Sequence, residues 1–97
     1  MTNYSITIID ENNSLSFDEI CRTIHADKDL IIQLIEYHVI APKGSMQQNW
    51  EFDHICLKRA RLARNFYYDC EVNLAGVALL IDMLERIEEL EKHITRL

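Results

Sequence analysis

Glycine and proline are almost missing from this sequence, with two glycines and one proline in 97 residues. So few breakers exclude a loop-rich or disordered chain, and a barrel of many tight turns. Gly44 and Gly76 stand alone, which also excludes a Gly-rich phosphate loop. Cations are scarce: 10 Lys and Arg against 16 Asp and Glu leave a net charge of −6. A protein whose main task is gripping phosphates usually carries the opposite sign. Cys21, Cys56 and Cys70 are odd in number and form no Cys-x-x-Cys pair. Reduced thiols are therefore expected, rather than a disulfide framework or a zinc site. No run approaches the roughly 18 apolar residues of a membrane span. Met1 to Asp10 lacks the basic start and apolar core of a signal peptide. The expectation is a cytoplasmic protein with no membrane partner.

What is present suits a small helical core. Hydrophobic residues make up 48% of the chain, enough to close one domain spanning residues 1–97. A domain of this size is marginal, so a contact between two copies would add useful burial. Tyr4 to Ile9 alternates and is β-branched, which predicts a short strand. Ser16 and Glu19 have the spacing of a capping box. Phe17, Ile20, Cys21 and Ile24 then follow at helical intervals, predicting a helix over about Phe17 to His25. After the break at Ala26-Asp27, Lys28 to His38 predicts a second helix with Leu30, Ile31, Leu34 and Ile35 inward. Two short helices across so brief a turn make a helix-turn-helix unit. Pro42 and Gly44 end the pattern, and Trp50-Glu51-Phe52 predicts a second short strand at 50–52, making Lys43 to Asn49 a wing. Asp53 caps a third helix running to about Asp69, and Asn73 caps a fourth running nearly to the end. That last helix carries Val77, Leu80, Ile81, Leu84 and Ile87, then Leu90, Ile94 and Leu97. The stripe resembles a coiled coil, with an irregular step between Leu84 and Leu90.

The candidate chemistry is sparse. A helix-turn-helix that reads DNA needs cations and amides on its second helix and wing. Here Lys28, Gln33 and His38 stand against Asp29 and Glu36, and Lys43 against Glu51. The cations that supply most phosphate affinity are short at that face. The basic run Lys58, Arg59, Arg61 and Arg64 reads as a face paired with the acidic fourth helix, or else as a phosphate or acidic-protein patch. The acidic run Asp82, Glu85, Glu88, Glu89 and Glu91 reads as a solvated face mostly opposite the apolar stripe, or else as a dock for a basic partner. Four histidines and three cysteines show no paired metal-ligand spacing, and all three thiols fall on apolar stripes. No metal, cofactor or catalytic site is implied. Trp50 and Phe52 read as a roof on the helix-turn-helix core.

Asp18 to Phe52 resembles a MerR-type winged helix-turn-helix, through Ile35 to Ile40 ahead of Pro42 and then Trp50 to Asp53. Val72 to Ile87, joined to Arg59 through Arg64, closely resembles the chaperone-modulator (CbpM) family. The resemblance spans nearly the whole chain. It implies a mainly α protein: a MerR-like winged helix-turn-helix followed by a long amphipathic C-terminal helix. It also implies a homodimer and a non-enzymatic role. That role is binding the J-domain of a DnaJ-like, curved-DNA-binding co-chaperone, which stops stimulation of a DnaK-type chaperone. The chain departs from MerR regulators where they carry an arginine and tyrosines on the recognition helix; Gln33, Leu34 and Ile35 stand there. Glu51 replaces the arginine between two wing aromatics. These changes remove phosphate-binding cations, so DNA is not the expected ligand, and a MerR-like DNA-binding transcription regulator is the alternative. The expected partner contacts are Asp29, Glu36, Glu51 and Asp53, with Asp82, Glu85 and Glu89 as a rival patch. The expected dimer contacts are Leu80, Leu84, Ile87 and Ile94.

Overall fold

The computed structural model describes residues 13–95. The strand expected at 4–9 lies outside these residues, as does Leu97. Helix α1 spans Phe17–Ile24 and α2 spans Lys28–Glu36. The capping box at the start of α1 is formed on both sides. The Glu19 amide donates to Ser16 Oγ at 3.2 Å, and the Ser16 amide donates to Glu19 Oε1 at 2.8 Å. His25 ends α1 in the left-handed region, at φ 56°. Asp27 starts α2 by accepting from the Leu30 amide at 2.8 Å.

Helix α2 stops two residues before the expected His38. His38 itself turns left-handed at φ 60°. The reason lies just beyond it, because Val39 and Ile40 are buried at 0% and 2% exposure. A continued helix would carry these β-branched side chains away from the core they fill.

The predicted strand at 50–52 is reduced to two isolated antiparallel bridges, Lys43 with Glu51 and Leu15 with Phe52. Each is a reciprocal hydrogen-bond pair, at 3.0 and 2.9 Å for the first and 2.8 Å both ways for the second. Successive residues thus pair with different segments, so no ladder grows. Gly44 makes the wing turn possible at φ 114°, where an added Cβ would lie 2.6 Å from the Asn49 carbonyl oxygen. Phe52 is completely buried, and Trp50 packs against the core beside it. Their rings and that of Phe17 form a mutual cluster, with centroids 5.4 to 6.2 Å apart. The roof expected from Trp50 and Phe52 is therefore in place.

Asp53 caps α3, which spans His54–Arg64. The chain then continues as a π-helical turn over Asn65–Asp69 rather than as α-helix to Asp69. The turn lets Phe66 and Tyr67 both lean on the core. Its exit is held by the Phe66 carbonyl, which accepts from the Cys70 and Val72 amides. Cys70 is exposed there, contrary to its expected place on an apolar stripe; Cys56 is buried and Cys21 half-buried. The stripe ends where the helix leaves its regular pitch.

Asn73 starts α4, Leu74–Thr95, by accepting from the Gly76 amide at 2.8 Å. Leu74, Val77 and Ile81 bury against the other helices. Ala60 and Ala63 of α3 are completely buried, small enough to let neighbouring backbones approach. The architecture is mainly α, a MerR-like winged helix-turn-helix carrying a long C-terminal helix.

Candidate functional site

The outward face of α2 is acidic. Asp29, Gln33 and Glu36 lie at i, i+4 and i+7, and all three are exposed. Lys28, the one cation of that helix, is pulled aside. Its ammonium bridges Asp18 at 3.2 Å and sits 5.4 Å from the centre of the Phe17 ring.

Glu51 is exposed on the wing and accepts from the Ser14 hydroxyl at 2.9 Å. It lines a cleft with Glu19, Trp50 and Gln48. Glu19 had a role in the sequence only as a capping partner. Its place beside Glu51 follows from the Leu15–Phe52 pairing, which no local pattern announces.

Asp53 is committed locally. Its carboxylate accepts from the Cys56 amide at 2.9 Å. That bond is the main reason its pKa is lowered, with His54 and Lys43 adding smaller attractions against a desolvation cost. Burial pushes the Cys56 and Cys21 thiols up, away from the thiolate form a nucleophile or metal ligand needs. Among the described residues no cluster of His, Cys, Asp and Glu is placed to hold a metal ion.

The rival patch on α4 is different, because its acids meet the basic run of α3. Arg59, only 20% exposed, reaches Asp82 Oδ1 with Nη2 at 2.8 Å. Its Nε lies 3.2 Å from Glu85 Oε2, close enough for charge pairing but without hydrogen-bond geometry. Lys58 sits 3.4 Å from Glu88. Arg64 stacks on Tyr68 at 5.1 Å and donates to the His25 carbonyl at 3.3 Å. Asp82 and Glu85 thus pair with α3, though Asp82, like Glu89, stays exposed. Phosphate binding by Lys58 or Arg59 would have to break these pairs.

Of the expected dimer contacts, Ile87 and Ile94 are exposed at 48% and 67%. Leu80 and Leu84 are half-buried. Leu84 lines a groove of about 740 Å³ between α3 and α4, together with Leu57, Leu62 and Ile87. Leu79, Met83 and Leu90 are exposed alongside Ile87 and Ile94. Leu79 and Met83 were missing from the expected stripe. Replacing Leu84 by Met83 removes its irregular step, since Leu80, Met83, Ile87, Leu90 and Ile94 alternate by three and four. No described helix is long and apolar enough to cross a membrane.

A family model described as MerR HTH family regulatory protein matches residues 15–97. The chaperone modulatory protein CbpM of Coxiella burnetii (strain Dugway 5J108-111) is 40% identical over 90 residues, covering 93% of this chain and 85% of that protein. The chaperone modulatory protein CbpM of Pseudomonas putida (strain W619) is 25% identical over 76 residues, covering 78% of this chain and 75% of that protein. The similarity therefore covers the helix-turn-helix and the long last helix together.

Proposed function

The chain belongs to the family of chaperone modulatory proteins CbpM, built on a MerR-type helix-turn-helix, and from that membership we propose that it modulates a chaperone system by binding the J-domain of a DnaJ-like co-chaperone. It acts in the cytoplasm by occupancy and not by catalysis; its relatives are named as modulators. The co-chaperone's J-domain engages its DnaK-type chaperone through a basic surface. The modulator covers that surface and thereby blocks stimulation.

One observation carries this reading. The second helix and the wing, which a DNA-binding helix-turn-helix would present to phosphates, here carry the exposed acids Asp29, Glu36 and Glu51. A duplex would be repelled there, whereas a basic protein surface would be steered in, at a rate that falls as salt rises. Asp29, Glu36 and Glu51 are favoured over Asp82 and Glu85, whose charges are met by Arg59. Asp53 contributes to the field of this face, but its carboxylate is held as a cap. A homodimer through α4 belongs to the same reading, supported by the exposed apolar side chains of that helix.

Titration calorimetry against the isolated J-domain of the organism's own DnaJ-like co-chaperone, at low and moderate salt, tests the proposal. Binding is expected at low salt and should weaken as salt rises. Glu36→Lys with Glu51→Lys should weaken it about tenfold or more, since charge pairs across interfaces are worth about 1.5 kcal/mol upward. A folded double variant that binds as before would move the contact to α4. Absence of binding at low salt, with retention of duplex DNA, would return the protein to the transcription-regulator class.

A further inference from the structure

The wing and the start of α1 enclose a cleft of about 480 Å³. Glu19 and Glu51 both line it, and each carboxylate is held by a serine. Glu51 Oε1 accepts from the Ser14 hydroxyl at 2.9 Å, and Glu19 Oε1 accepts from the Ser16 amide at 2.8 Å. The two serines flank Leu15, whose antiparallel bridge to Phe52 keeps the chain extended. Two steps of extended chain set these anchors roughly 7 Å apart. Each anchor engages one carboxylate oxygen. Among the described residues no hydrogen bond reaches the other oxygen of either acid.

The charge in this cleft is unanswered, unlike that of several other acids. Asp18 is met by Lys28, Asp82 and Glu85 by Arg59, and Glu88 by Lys58. Among the described residues neither Glu19 nor Glu51 has an ion-pair partner, and no cation lines the cleft. Lys28 faces the adjoining hollow beyond Ser16 and Gln48, where Asp18 holds it. The cleft also has an aromatic wall. Trp50 is half-buried, and its ring is fixed by Phe17 at 5.4 Å and Phe52 at 6.2 Å. Two carboxylates beside a rigid ring in a concave site select a cation that has a flat face.

We infer that this cleft receives an arginine side chain from the basic surface of the docked partner. The inference rests on the docking reading above and names the residue that the partner must supply. A guanidinium stacks on aromatic rings, forks its donors to carboxylates and is more weakly hydrated than an ammonium. Lysine brings a compact, strongly hydrated charge and no flat face, so it fits less well. Arginine and tryptophan are also the residues that most often dominate interface affinity, in concave and desolvated places. The cleft therefore has a different task from Asp29 and Glu36. Those acids stand on the outward face of α2 and steer the encounter. The cleft holds the partner once it has arrived.

Trp50 is the single tryptophan of the chain, so labelling the full chain with fluorotryptophan gives one fluorine resonance that reports the cleft. N-acetylarginine amide should shift it saturably, and N-acetyllysine amide should do so several-fold more weakly. Glu19→Gln with Glu51→Gln removes both charges but keeps an oxygen for each serine, and glutamine also completes a capping box. That variant should keep its helix content and lose the response to arginine. It should also bind the co-chaperone's J-domain about tenfold more weakly in calorimetry. Asp69→Asn, an exposed acid outside the cleft, should bind as the parent does. An arginine probe that leaves the resonance in place, or moves it equally in the double variant, would overturn the inference. A J-domain that binds the parent and the double variant alike would overturn it too, while leaving the docking reading on α2. A J-domain that binds neither, with the arginine response intact, would sink the docking reading and keep the cleft as an arginine site for another basic protein.

Discussion

The first and last turns of α4 are built from the same kinds of residue and meet opposite fates. Val77 and Ile81 are completely buried, whereas Leu90 and Ile94 stand 58% and 67% exposed. Helical propensity does not separate them, and neither does hydrophobicity. What separates them is what lies opposite: α3 and the helix-turn-helix core for the early turns, and no cover from the other described residues for the late ones. The early turns hold the domain together, and the late turns leave their apolar side chains exposed.

Core truncations should break this contrast most sharply. Phe52→Ala removes a fully buried ring from the centre of the aromatic cluster and should cost about 3–5 kcal/mol in denaturant unfolding. Ile81→Ala should cost about 2–5 kcal/mol. Ile94→Ala should change the stability of the isolated chain by no more than about 0.5 kcal/mol and act only on assembly. Equal losses for Ile81→Ala and Ile94→Ala, measured at a dilution where copies separate, would erase the distinction.

Arg59 lies at the seam between the two regimes. Arg59→Met keeps much of the packing but leaves Asp82 and Glu85 facing α3 without their cation. A loss of about 1–2 kcal/mol is expected, visible as a lower denaturation midpoint. Asp53→Ala should cost about 1 kcal/mol by removing the α3 cap. Its pH dependence has a definite sign. The folded carboxylate titrates below its ordinary value of 3.8, so it is the ionised form that stabilises. The gap between parent and variant should be full at neutral pH and close as pH falls below that value. The smallest expected effect is that of Glu36→Lys on folding, within about 0.5 kcal/mol, because its side chain is exposed at the end of α2.

Local signals were readable wherever one side chain answers one backbone group. Ser16, Asp53 and Asn73 cap the helices that their sequence positions announce. The helix-turn-helix and the long last helix follow from apolar spacing. Features that depend on distant contacts were not readable in the same way. The early stop of α2 is set by where Val39 and Ile40 find cover, and the π-helical turn by where Phe66 and Tyr67 do. The stripe on α4 was visible, but not the line dividing its inner and outer edges. That line is drawn by α3, which covers Leu84 and leaves Met83 open. The acidic residues were legible as charges. Which of them are already answered was not, because Arg59 lies 23 residues from Asp82 in the chain.

The clasp that joins Leu15 to Phe52 also bears on time. The helices on either side of Ala26-Asp27 meet across a short turn, so their pairing closes a small loop. The clasp spans more than thirty residues, as does the Ser14–Glu51 hydrogen bond 37 positions apart beside it. Loop closure costs entropy that grows with the logarithm of length. The clasp is therefore expected to form after the helical pair and to open before it. Glu51 is held by that same clasp, so brief openings would change the shape of the acidic face while α2 stays folded. Hydrogen exchange at Leu15 and Phe52 would time those openings against the slower amides of α2.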